Sequence, residues 1–227
     1  LEKRLYELIA SELSNLVNLS KSKFKNNYAR ALCYQLFENN GVIKRETVHQ
    51  MIKNIYKEDK LNLRKVGVKI GRYHIFLPRM LKPSAVELRV KLWKLYFPKD
   101  KKNIIPKFGL NFLKNETKQN NNFLLICGFE NFDKFYIRVD ILERLFLRII
   151  ENTKNGAFKT DSDMINLIGC SKEDFFKLLE LMEYRSKKSK KEKEELFVYK
   201  PKLTKNKTNY QKTSKNNLFE KLSELRF

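Results

Sequence analysis

The run from Asp140 to Pro201 limits the fold more than any other part of the chain. "DILERLFLRIIEN" places Leu142, Leu145, Phe146 and Ile149 on one helical face, and Asp140 with Glu143 has the spacing of a capping box. A short helix is expected at "SDMINLI", then a tight turn at "GCS". The next helix opens at Ser171, where Ser171 and Asp174 fit the S-x-x-D pattern that satisfies free N–H groups at a helix start. After the charged run "YRSKKSKKEKEE", the segment "LFVYKP" can return as a strand. Three helices, a helix-turn-helix and a basic hairpin tip predict a winged-helix topology for residues 134–204.

Upstream, helical apolar spacing covers residues 1–17 and 28–39, the latter ending in an Asn-Gly stop after Glu38. A further helix is expected from Arg45 to Tyr56, with Val48, Met51, Ile52 and Ile55 on one side. In "LRKVGVKIGRYHIFLP" the period changes: Val66, Val68 and Ile70 alternate with polar or small residues, as in short strands or a bulged turn. Pro83 suits the first turn of a helix over residues 84–97, whose broad apolar arc calls for burial against more than one neighbour. Arg89 falls inside that arc, between Tyr96 and Trp93. It is expected to stack on those rings or to pair with a distant acid, or else to be held by aromatics at the edge of an RNA path.

Residues 98–133 read as a connector with one apolar anchor near Phe108 to Phe112, and residues 205–227 as a basic tail ending in the short amphipathic "NLFEKLSELRF". The expected architecture is therefore mainly α. A helical domain with a short β element (1–97) precedes the connector, the winged-helix-like α+β unit and the tail. The opening "LEKRLYELIASEL" reads as the middle of a helix, and the chain is expected to be a fragment of a longer polypeptide.

Charge is unevenly spread. Of the net +22, residues 60–107 carry +12 and residues 186–215 carry +8, leaving the other 149 residues almost neutral. Segregation of this kind attracts polyanions, although abundant Lys, Asn and Ile also fit an AT-rich genome. Arg72, Tyr73, Arg79 and Lys82, around the "GRYHIFLP" strand, are the leading candidates for nucleic-acid contact, joined by Arg89 and by Lys187 and Lys188 of the basic tip. Cations there would track phosphates, and Tyr73 could stack on a base or serve as a half-buried strand aromatic. The segment Lys172–Glu183 has two lysines against four acids, so it is not expected to enter a groove.

Other chemistries find little footing. No apolar stretch could span a bilayer, and Cys33, Cys127 and Cys170 lack the spacing of a zinc site or a disulfide framework. They suggest a reducing, bacterial cytoplasm. The seven glycines form no phosphate-binding loop, and neither a nucleophile elbow nor an H-E-x-x-H pair occurs. His74 could contact phosphate but reads first as a structural histidine. No catalytic residue, metal site or cofactor is expected on this chain itself.

"GRYHIFLP", two residues, then "LKP" resembles the region behind the motor of alphaproteobacterial superfamily 2 helicases similar to the mitochondrial degradosome RNA helicase. "IRVDILERL", "LIGCSKEDFFKLLELMEYR" and "NLFEKLSEL" follow in the order seen in that group, so the resemblance runs from about Tyr28 onward. It implies an ATP-dependent, RNA-directed helicase whose two RecA-like domains, with ATP and magnesium, lie in polypeptide preceding this chain. Expected partners are single-stranded RNA or DNA, those motor domains, and a nuclease or ribonucleoprotein. No catalytic residue carries over. Two alternatives remain open on the residues alone: a protein-interaction module that docks partner subunits, and a plasmid replication initiator with tandem winged helices that binds duplex DNA.

Overall fold

In the computed structural model, described over residues 2–22, 24–97, 103–114, 119–188 and 195–201, helices dominate and the strands form three small antiparallel sheets. The chain begins with α1 (Glu2–Glu12) and α2 (Ser14–Lys21), which break at Leu13 where a single helix was expected. Helix α3 (Asn27–Glu38) is capped by Asn26, whose side chain accepts from the Tyr28 and Ala29 amides at 2.7 and 3.2 Å. Ala29, Leu32, Cys33 and Leu36 are its buried stripe.

Next come β1 (Val42–Lys44), a 3-10 turn (Arg45–Val48), α4 (His49–Asn54), α5 (Lys57–Lys65), β2 (Lys69–Ile70) and β3 (His74–Phe76). Two departures from expectation fall here. The helix expected over Arg45–Tyr56 is only α4 behind a 3-10 turn. Helix α5 was not anticipated, because its charged sequence offers few apolar residues to mark a period. The strand pattern expected from Val66 is shifted: Val66 caps α5, and β2 begins at Lys69. Strand β3 sits between β1 and β2, so the order α3-β1-α4-α5-β2-β3 with sheet β1-β3-β2 is a winged-helix arrangement.

Helix α6 (Pro83–Tyr96), which follows the 3-10 turn Pro78–Leu81, is buried on more than one side, as its wide arc required. Ala85, Leu88 and Leu92 join the first core, while Val86, Val90 and Trp93 pack with Phe123, Leu124, Cys127, Phe129 and Tyr136. The stretch read as a connector supplies much of that second cluster. It contains β4 (Phe112–Lys114), α7 (Asn121–Ile126) and β5 (Phe129–Phe132), and β6 (Phe135–Arg138) completes the sheet β4-β6-β5.

The final unit repeats the first unit's order: α8 (Val139–Asn152), β7 (Ala157–Lys159), α9 (Ser162–Ile168), α10 (Lys172–Leu181), β8 (Tyr184–Lys188) and β9 (Glu195–Tyr199), with sheet β7-β9-β8. Gly169 ends α9 at φ +78°, a left-handed cap that lets the chain turn sharply into α10. The Asp174 amide donates to Ser171 Oγ at 3.2 Å, and that hydroxyl donates to the Asp174 carboxylate at 2.8 Å. The core of this unit is largely aliphatic and aromatic, with Phe158, Phe175, Tyr184 and Phe197 inside it. No described helix is long and apolar enough to cross a membrane. The terminal "NLFEKLSELRF" and the tip of the β8–β9 hairpin lie outside the described residues.

Candidate nucleic-acid interface

The turn between β2 and β3 is where the two winged-helix-like units meet. Glu143 of α8 accepts hydrogen bonds from three successive backbone amides: Arg72 at 2.5 Å, and Tyr73 and His74 at 2.8 Å each. Other polar backbone groups of the turn are also occupied. The Gly71 amide donates to the His74 carbonyl at 2.8 Å, the Arg45 guanidinium donates to the Gly71 carbonyl at 2.6 Å, and the Arg45 amide donates to the Tyr73 carbonyl at 2.8 Å. Consecutive amides aimed at one point form an anion site, and here the anion is internal. Gly71 has to be glycine for this to work, since a Cβ there would lie 2.3 Å from the Glu143 carboxyl carbon.

Glu143 therefore does not close a capping box. The N-cap of α8 is Arg138, which makes no side-chain cap bond; its guanidinium instead grips Asp140 at 3.0 and 2.8 Å. A period-based reading sees the carboxylate at the start of a helix but not the distant turn that claims it.

Behind the turn lies a second polar cluster. His74, 1% exposed, places Nε2 2.6 Å from Glu130 of β5, and Lys44 of β1 donates to the other Glu130 oxygen at 2.5 Å. Burial alone would raise the Glu130 pKa, but the bonds from His74 and Lys44 hold it below the ordinary carboxylate value. These links tie the first sheet to the middle one. His74 is thus a structural residue.

Around this junction the surface is basic. One cavity of about 750 Å³ has Val68, Ile70, Phe146 and Leu147 among its apolar lining, with Arg45, Arg64, Lys69, Arg72 and Arg144 also lining it. A neighbouring cavity of about 500 Å³ is lined by Lys44, Arg45, His49 and Arg72 together with Glu46 and Glu130. Arg64, Lys69, Arg72 and Arg144 are exposed, and none of the five cations around the larger cavity forms an ion pair among the described residues. Both acids that line it are engaged internally, Asp140 by Arg138 and Glu143 by the turn. Positive potential is left facing solvent.

Of the candidates named from sequence, Arg72 is central: it lines both cavities and lies 5.8 Å over the Phe146 ring. Tyr73 is half-buried and set edge-on to Phe146 at 5.7 Å, joined to the apolar core of the second unit. Burial, with the neighbouring Tyr184 hydroxyl, pushes its phenol pKa upward. Lys82 is exposed and lines a third cavity, which shares Pro78 and Asp140 with the large one. Arg79 is exposed and donates to Asn15 Oδ1 at 3.2 Å.

Arg89 has to be withdrawn. It is 0% exposed, and its guanidinium donates to the carbonyls of Asn40 at 2.6 Å, Ala85 at 3.3 Å and Met80. Among the described residues neither an aromatic ring nor an acid holds it; backbone carbonyls do, and its burial keeps a polyanion from it. Burial lowers its pKa to about 10, which leaves it protonated at neutral pH. Lys187 is exposed on β8, and Lys188 pairs with Glu195 in the β8–β9 ladder.

Arg45, Arg64, Lys69 and Arg144, which line the large cavity, were not among the candidates named from sequence. Arg64 and Lys69 fall within the basic block, so charge density pointed near them, but Arg144 on α8 carried no local signal. Burial raises the thiol pKa of Cys33 and Cys127 to about 12 and that of Cys170 to about 11, so all three stay protonated at neutral pH. Among the described residues no group of three His, Cys, Asp or Glu side chains could hold a metal ion. No protein-family model matches this chain, and no curated protein or solved structure is significantly similar to it.

Proposed function

We propose that this chain is a nucleic-acid-engaging accessory region of an ATP-dependent helicase, directed at single-stranded RNA and working beside RecA-like motor domains of the same polypeptide in a bacterial cytoplasm. The observation that carries the binding half is the set of five cations lining the large cavity that form no ion pair among the described residues, beside two acids already bound elsewhere. Phosphates supply the charge such a rim lacks, and contacts of this kind are read by position and not by base sequence. The helicase half rests on the "GRYHIFLP" and "LIGCSKEDFF" resemblance. ATP and magnesium would be held by the motor domains. A nuclease or ribonucleoprotein is a further partner the resemblance implies.

The repeated α-β-α-α-β-β order favours a second reading, a replication initiator that grips duplex DNA with tandem winged helices. Two features weigh against it. Helix α10, at the position that would enter the second groove, carries Lys172 and Lys177 against Glu173, Asp174 and Glu180, and the first wing turn is already bound to Glu143. Anisotropy titration at about 50 mM salt, where phosphate contacts are strong, separates the readings. Sequence-independent binding that is tighter for single-stranded RNA than for duplex is expected. Tight binding to one duplex sequence would favour the initiator, and no binding to either would end both.

A further inference from the structure

The large basic cavity has a feature that phosphate binding alone leaves unexplained. Leu147, which lines it, is 58% exposed, and Val68, Ile70 and Phe146 extend the apolar lining. Exposed apolar surface inside a ring of cations calls for a ligand with an apolar face and anionic flanks. A simple polyanion satisfies the ring and leaves the lining wet.

The geometry points to a seat for one unstacked nucleobase in this cavity, with the adjoining phosphates held by Arg64, Lys69, Arg72 and Arg144. The inference rests on the single-strand reading above and adds to it. Arg72 is already parked over the Phe146 ring at 5.8 Å, so a planar cation and an aromatic side chain stand together in the cavity lining. Base faces stack on both kinds of group, and do so without regard to base identity. Duplex DNA presents no free base face, so the seat also supplies a reason for single strands to bind more tightly. The volume of about 750 Å³ lies within the range of small-ligand pockets.

The test uses the full chain and two oligoribonucleotides of about 12 nucleotides, one with bases and one abasic throughout, within the usual site size for single strands. The base-containing strand should bind about tenfold tighter, with the same salt slope for both. In Leu147→Gln, an exposed position where folding is not at stake, that ratio should fall toward one while the slope is kept. Photocrosslinking of a 4-thiouridine strand should place adducts in 64–72 and 144–147. Equal affinity of the two strands for the unmodified protein would overturn the base seat and leave the phosphate-binding face standing. Absence of binding by either strand would overturn both. Adducts confined to other regions, or an acidic peptide whose binding depends on Leu147 and displaces the RNA, would also overturn it.

Discussion

The two winged-helix-like units share an order of elements but not a way of using it. In the first, the third helix α5 carries Lys57, Lys60, Arg64 and Lys65 against Glu58 and Asp59, a net of +2; its counterpart α10 comes to −1. The first unit's wing is a tight turn captured by Glu143, whereas the second unit's wing is a longer hairpin, β8–β9. The first unit is tied to its surroundings by buried polar groups, Arg89 and the Lys44–Glu130–His74 cluster; the second is held by aromatic and aliphatic packing. Topology, then, does not say which face meets a ligand. Net charge, and which hydrogen-bonding groups are already taken, decide that.

If the first unit depends on buried polar bonds, Arg89→Met should have the largest effect, removing about 4 kcal/mol by taking their buried donor from the carbonyls of Asn40 and Met80. Chemical denaturation checks this, and a loss below about 1 kcal/mol would mean those carbonyls find other partners. Glu143→Ala comes next at about 3 kcal/mol, because three successive amides, those of Tyr73 and His74 part-buried, lose a charged acceptor.

Gly71→Ala should cost about 2 kcal/mol, and by a single route: the new methyl group displaces the Glu143 carboxylate. A double-mutant cycle sharpens the point. In the Glu143→Ala background the same substitution should cost little, so the two effects should be strongly non-additive. Simple addition would mean that Gly71 is constrained by something else.

What could be read from the sequence follows from the same contrast. Helices α3, α6, α8, α9 and α10 were legible because one apolar stripe, a cap or a proline marks each locally, as Asn26, Pro83 and Ser171 do. The aromatic second unit was recognisable as a winged helix for that reason. The first unit's repeat of that order was hidden, since α5 is mostly charged and β2 spans only Lys69–Ile70. Arg72 was named through charge density near a turn and does line the basic cavities, but Lys44 and Glu130 lie 86 residues apart and no periodicity connects them. Arg89 misled because a cation in an apolar arc can be stacked, paired or hydrogen-bonded to carbonyls, and sequence spacing does not separate these.

A smaller effect is expected with acid. The Glu130 carboxyl has a folded-state pKa below its unfolded one, so its contribution is present above the ordinary value of 4.5 and is lost as pH falls through the folded value. In Glu130→Gln that part of the acid limb should disappear, so the stability gap to the parent protein should narrow below about pH 5. A gap that stays constant with pH would remove the carboxylate from the junction's energetics. The least effect should come from the second unit's α10: Lys177→Glu should leave RNA affinity within about twofold, against a loss of about tenfold for Arg64→Glu on α5. Equal losses would erase the distinction between the units.

The salt dependence of single-stranded RNA binding tests most directly whether the basic rim engages phosphates. For Arg64→Ala, Lys69→Ala and Arg144→Ala combined, the slope of log affinity against log salt should fall by about 2, near 0.7 for each lost phosphate contact. A slope equal to that of the unsubstituted protein would contradict it, and would place the nucleic acid elsewhere or remove it from this chain.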